Sequence, residues 1–212
     1  MIYSAKHNFL LLKNYKVGGT SLEVELSQVL DQSAIVTEIY PKNLLHKPRN
    51  FNNFYNHITY IELENLLGEE TLDKTESVVF VRNPFDVVLS HMYMSFAWSG
   101  INIPSVSDVD KYFSNKTILN KITSHKSRNI YTKDGMVMAK NVYKYENGLD
   151  QINKTLNDVG IDSIVINAKE KMYKPKDIKP VDIFEPRHIE EIYEDWSWEI
   201  NKFDYAPSPM VL

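Results

Sequence analysis

Two short stretches of this chain carry the residue types needed to grip a phosphate-bearing ligand. The first is Lys16-Val17-Gly18-Gly19-Thr20-Ser21. Glycines let the backbone turn tightly and approach a ligand closely, and successive N–H groups at a helix N-terminus attract anions. The ammonium of Lys16 and the hydroxyls of Thr20 and Ser21 would complete such a site. The plainer reading is a helix start that happens to contain Gly-Gly and a capping threonine. With only seven glycines in 212 residues, an adjacent pair adds weight to the functional reading. The second stretch is Val81-Arg82-Asn83-Pro84-Phe85-Asp86, running on to Ser90. Arginine is scarce here, four against 20 lysines, so one placed where a strand opens into a helix stands out. A guanidinium holds phosphate through two parallel hydrogen bonds, a geometry an ammonium lacks, and Ser90 could add a hydroxyl. The plainer alternative is an arginine that pairs with a carboxylate at the sheet edge.

The first stretch is not a Walker A loop. That motif needs a glycine, four residues, then Gly-Lys-Ser/Thr; here the lysine precedes the glycines. The strand ending at Val81 is followed by Arg82 rather than a magnesium-holding aspartate. These two facts weigh against a nucleotide kinase of the P-loop type.

The elements that must position these residues alternate between strand and helix. Asn8–Leu12 reads as a short buried strand, after which Leu22, Leu26, Val29 and Leu30 recur at helical spacing. Ala34–Tyr40 reads as a second strand, and Tyr60–Leu67 as a helix with Ile61, Leu66 and Leu67 on its apolar side. Ser77–Val81 is the clearest buried strand. Asn83 as N-cap, Pro84 at the first helical position and Asp86 near the positive end predict a helix directly after it. Asn141–Tyr145 reads as a late strand, followed by a helix from Leu149 to Val159. Near the end Ile189, Ile192, Tyr193, Trp196 and Ile200 form one helical stripe. The pattern predicts an α/β fold in three layers, a mostly parallel sheet with helices on both faces. Ligands of such sheets sit at the carboxyl ends of the strands, which points to the loops after Leu12 and Val81.

Composition bounds the rest. Charged residues are 25% and hydrophobic ones 43%, as in ordinary soluble domains. A net charge of −4 and a pI near 5.9 argue against a surface built throughout to hold nucleic acid or acidic lipid. The absence of cysteine removes disulfides, thiolate metal sites and thiol catalysis, and no spacing suggests another metal cluster. The first apolar run, Phe9 to Leu12, is far shorter than the roughly 7–15 residues of a secretory core or the about 20 of a membrane span. No membrane association and a cytoplasmic location are therefore expected. The linker-like stretches 41–56, 99–107 and 169–180 are short, so a single domain over 1–212 is expected.

Taken together, the two loops resemble those of sulfotransferases that use 3′-phosphoadenosine 5′-phosphosulfate, especially the carbohydrate (uronyl and heparan-type) branch. In that family a Lys-x-Gly-Gly-Thr-Ser loop binds the 5′-phosphosulfate, matched here by Lys16, Val17, Gly18, Gly19, Thr20 and Ser21. An Arg-Asn-Pro segment with a serine eight residues after the arginine binds the 3′-phosphate, matched by Arg82, Asn83, Pro84 and Ser90. Val142–Glu146 is similar to the family's late strand, and 192–205 to its C-terminal helix. Tyr15 stands where a proline is common, and Val87 where a basic residue is common. The stretch from Phe96 to Lys133 matches no part of the family pattern, and substrate choice is expected there.

The resemblance implies a P-loop-like sulfotransferase fold and transfer of a sulfuryl group to an acceptor hydroxyl, with a carbohydrate as the expected acceptor. Lys16 would stabilise charge on the leaving phosphate. His57, opening His57-Ile58-Thr59-Tyr60-Ile61-Glu62-Leu63, resembles the segment in which a histidine acts as base, a task suited to a neutral imidazole. Glu38 competes, since other branches use a carboxylate from that region, while His91, His125 and His188 are weaker candidates. The run Lys169, Lys171, Lys174, Lys176, Lys179 is either a solvated loop or, by the same resemblance, a lid over the nucleotide. A module that binds a nucleotide or glycan without catalysis is the further alternative.

Overall fold

Residues 1–101, 104–115, 124–167 and 173–209 are described by the structure, a computed structural model. In chain order the elements are Ile2–Ser4 (β1), Phe9–Leu12 (β2), Gly19–Val29 (α1), Ile35–Val36 (β3), Tyr60–Leu67 (α2), Glu69–Lys74 (α3), Glu76–Val81 (β4), Pro84–Trp98 (α4), Val106–Ser114 (α5), Ser124–Asn129 (α6), Thr132–Lys133 (β5), Met136–Val137 (β6), Asn141–Lys144 (β7), Ile152–Asp158 (α7) and Pro186–Lys202 (α8). They divide into two compact units, Met1–Val81 with Asn129–Glu170, and Arg82–Arg128 with Lys171–Leu212.

The first unit is an α/β structure around a five-stranded sheet of order β3-β1-β2-β4-β7. The sheet is mixed. β2, β4 and β7 run parallel, with Leu12 opposite Val79 and Val81 opposite Lys144, while β1 pairs antiparallel with β2 and with β3. The carboxyl ends of the three parallel strands therefore leave the same edge. Phe9, Leu11, Val78 and Phe80 point to one face and join Leu22 and Leu26 of α1 and Ile152 and Leu156 of α7 in one apolar cluster. The alternate residues Leu10, Leu12, Val79 and Val81 are buried too, so both faces are covered. Burying each such side chain contributes about 1.5–3 kcal/mol.

Several sequence expectations change. The strand expected over Ala34–Tyr40 is only Ile35–Val36, because the backbone changes partners there. Val36 exchanges hydrogen bonds with Arg49 at 2.9 and 3.0 Å, Thr37 N–H turns to the Met1 carbonyl, and Pro41 brings no N–H. In α2 the buried residues are Tyr60 and Leu63, while Ile61 and Leu66 are exposed. Five residues apart on a helix means about 140° around the axis, too far for Ile61 and Leu66 to share a face. Val29 of α1 is likewise exposed. The helix expected from Leu149 starts as a 3-10 turn, Leu149–Gln151, and becomes α-helical at Ile152. Arg49, unremarked in the sequence, closes the C-terminal end of α1 by donating to the carbonyls of Ser27, Leu30 and Asp31 at 2.9–3.1 Å.

In the second unit α4 packs against α8, which buries Ile189, Ile192, Trp196 and Ile200 and leaves Tyr193 at its edge. His188 is a structural residue there. It stacks on Phe113 at 4.4 Å, accepts from Glu185 N–H through Nδ1, and its Nε2 meets Asp110 at 3.0 Å. His91 is buried against the Tyr112 hydroxyl, 2.8 Å away. Among the described residues no helix is long and apolar enough to cross a membrane.

Candidate functional site

The loop after β2 is built on a buried ion pair. Lys13 turns inward, and its ammonium donates to the carboxylate of Glu23 on α1 and to Asn56 Oδ1 at 3.1 Å. Glu23 also receives the Met1 amino group at 2.5 Å. Burial alone would raise the Glu23 carboxyl, but Lys13 and the Met1 amino group, itself pushed down to about 6 by burial, outweigh it and hold it below the usual carboxylate range. Asn14 then ties the loop to β4, its amide donating to the Phe80 carbonyl at 3.2 Å while its Oδ1 accepts from Tyr15 N–H.

Lys16 and Gly18 both adopt left-handed backbone, with φ of 56° and 73°. Gly18 is the N-cap of α1 and supplies no side-chain cap, so the capping threonine of the plainer reading is not there. Thr20 and Ser21 lie in the helix's first turn, nearly buried, and that turn holds no acidic residue. The glycine pair answers to packing as well. A Cβ at Gly18 would stand 2.8 Å from Leu149 Cδ1, and one at Gly19 would stand 3.1 Å from the Lys13 stem. Val17 is a core residue, 2% exposed.

His57 is joined to this loop. Its Nδ1 lies 2.8 Å from the Lys13 carbonyl, and its ring stacks on Tyr15 with centroids 4.0 Å apart and planes 12° from parallel. Burial, then the charge of Lys13, holds its pKa down to about 3, so the imidazole is neutral near pH 7. Glu38 is reached differently. Its backbone carbonyl accepts from the Asn56 side chain, and its carboxylate takes the Tyr40 hydroxyl at 3.4 Å. The geometry thus joins the imidazole of His57 to the loop, and engages the Glu38 carboxylate with Tyr40.

In the second unit Arg82 directly follows β4. Its guanidinium is 13% exposed and stands 3.8 Å from Asp86, a loose pairing that leaves both readings of this arginine open. Asn83 caps α4, accepting from Phe85 N–H at 3.0 Å, with Pro84 at the helix start. Asp86 and Ser90 lie one turn apart on the same side of α4. Val87 is buried among the core residues of that helix, which a basic side chain could not be without a partner.

Of the lysine run, Lys169 and Lys171 lie outside the described residues. Lys174 donates to the carbonyls of Pro175 and Ile178, within its own loop. The residues that sequence reasoning passed over are Lys13, Glu23 and Asn56. A signal existed for Glu23, a charge set between Leu22 and Val24 on a helix with Leu26 one turn on.

No family model matches the chain, and no curated protein matches it in sequence. Among solved structures, a sulfotransferase from Alicyclobacillus acidocaldarius is similar over 93% of this chain and 94% of its own, with 14% identity and a TM-score of 0.46.

Proposed function

We propose that the protein moves a sulfuryl group from 3′-phosphoadenosine 5′-phosphosulfate to a hydroxyl of an acceptor, with a carbohydrate as the acceptor class. The observation that carries this reading is the bond from His57 Nδ1 to the carbonyl of Lys13, three residues before Lys16. It attaches a neutral base to an anion loop. The left-handed residues Lys16 and Gly18 and the uncapped start of α1 suit the 5′-phosphate end of the donor. Arg82 and Ser90 would hold the 3′-phosphate.

In this reading the acceptor oxygen bonds to sulfur while the bond from sulfur to the 5′-phosphate oxygen breaks. The electron pair of that bond stays on the phosphate, where Lys16 stabilises it. The hydroxyl proton passes to Nε2 of His57. A base this weak takes the proton only as the new bond forms, so transfer is concerted with attack.

The test is selectivity. Calorimetry with adenosine 3′,5′-bisphosphate and AMP should show clear preference for the first, and isotope-labelled donor should pass label to a polysaccharide acceptor. Equal binding of the two nucleotides would remove the reading. A thermal shift with ATP and magnesium larger than with adenosine 3′,5′-bisphosphate would favour the kinase alternative.

A further inference from the structure

His57 is held from two directions by the segment that leads into the loop. A carbonyl can only accept, so the contact with Lys13 puts the proton on Nδ1 and the lone pair on Nε2. Tyr15 lies flat on the ring. The backbone of His57 is left-handed, φ 63°, a conformation that costs free energy outside glycine and persists only when its surroundings impose it. Asn56, the residue before it, is anchored in the same cluster, accepting from Lys13 Nζ at 3.1 Å and from Thr37 Oγ1 at 2.8 Å.

We propose that Tyr15 is a positioning residue for His57: its ring fixes the imidazole plane and, with the Lys13 carbonyl, selects the tautomer that accepts a proton at Nε2. Its catalytic meaning rests on the function proposed above, but the tautomer does not. The phenol of Tyr15 is raised by burial and stays neutral, so it acts through its face rather than a charge. The titratable groups around the imidazole are Lys13 and, when protonated, the Met1 amino group, which disfavour protonation, and Glu23, which favours it. An anionic donor beside Lys16 would add to the last, so His57 should become more basic when nucleotide binds.

Nitrogen-15 NMR of histidine-labelled protein reads this directly. In the free wild type, His57 should show one neutral tautomer protonated at Nδ1, unchanged from about pH 8 to 5, where an ordinary imidazole titrates. Tyr15→Phe keeps the stacking face and should retain that spectrum and the turnover. Tyr15→Leu should show tautomer exchange, with kcat lowered roughly 10–100-fold and acceptor KM little changed, the scale expected for a misplaced group. A wild-type His57 protonated at Nε2, or titrating near 6.5, overturns the proposal without need of any variant. So does a Tyr15→Leu protein with the wild-type spectrum and rate. If the tautomer responds as expected but adenosine 3′,5′-bisphosphate binds no better than AMP, the positioning stands and the sulfotransferase reading fails. Nucleotide selectivity with an unresponsive tautomer means the reverse.

Discussion

Lys13 and Glu23 face each other with side chains 3% and 0% exposed, joining the end of β2 to the second turn of α1 beneath the loop 16–21. Two buried charges in contact do little for net stability, yet removing one strands the other. Glu23→Leu should therefore cost about 3–5 kcal/mol, and adding Lys13→Met should restore part of it, since one stranded cation disappears. Urea denaturation of the single and double variants checks this. A double variant no more stable than the single would show that the pair is not the coupled unit seen here.

Lys16→Ala separates chemistry from binding. A cation that stabilises the leaving phosphate acts mainly in the transition state, so kcat should fall more than affinity for adenosine 3′,5′-bisphosphate. Equal losses in both would reduce Lys16 to a binding residue.

His57→Ala should lower turnover by about 10²–10⁴, the span typical of a general base, with nucleotide affinity near that of wild type. Glu38→Ala should leave most of the rate, given that its carboxylate is engaged with Tyr40. The opposite ranking in steady-state assays would transfer the role of base to Glu38.

Arg82→Ala should weaken adenosine 3′,5′-bisphosphate by about 10–100-fold, from the 1.5–3 kcal/mol typical of hydrogen bonds to charged groups, and should hardly affect AMP. Asp86 supplies an internal control. It competes for the same guanidinium at 3.8 Å, so Asp86→Ala should leave selectivity intact or improve it. Full selectivity retained by Arg82→Ala would return this arginine to the plainer role at the sheet edge.

His57 and Glu23 contribute to the acid limb of stability in separate windows. His57 is depressed from near 6.5 to about 3, so the unfolded chain binds its proton first; the stability it contributes is complete above 6.5 and is lost as pH falls toward 3. Glu23 is depressed below its ordinary 4.5, so its share persists above 4.5 and goes only at lower pH. His57→Gln should flatten the loss between about pH 6.5 and 4.5 and leave the steeper fall below it. Denaturation midpoints across that range measure both.

Much of the framework was legible because it is local. Asn83 and Pro84 announce α4, the run 77–81 announces β4, and α2 has the bounds its pattern predicts. The loop 16–21 was legible as a tight turn into a helix from its glycine content and its place after a strand. What stayed hidden is held by long-range contacts. Lys13 meets Asn56 across 43 residues, and His57 meets the Lys13 carbonyl across 44. Tyr15 looked like a simple departure from a family pattern, and only its stacking on His57 gives it a purpose. The shortened strand at 35–36 was invisible for the same reason, since its partner Arg49 sits beyond a loop with no periodic signal.

Arg49 grips the end of α1 farthest from the loop 16–21, and this makes the helix a lever. Eleven residues at 1.5 Å each place the two ends about 16 Å apart. That exceeds the roughly 8–10 Å over which a charge acts through salt solution, so the guanidinium is too distant to matter to the loop electrically. Mechanically it is not. If loss of the grip let α1 pivot by about 5°, the loop would swing by about 1.4 Å, a displacement of the size that costs on the order of 100-fold in rate. By that geometry, losing the Arg49 contacts would loosen the hold on Lys16, Thr20 and Ser21 without touching any of them.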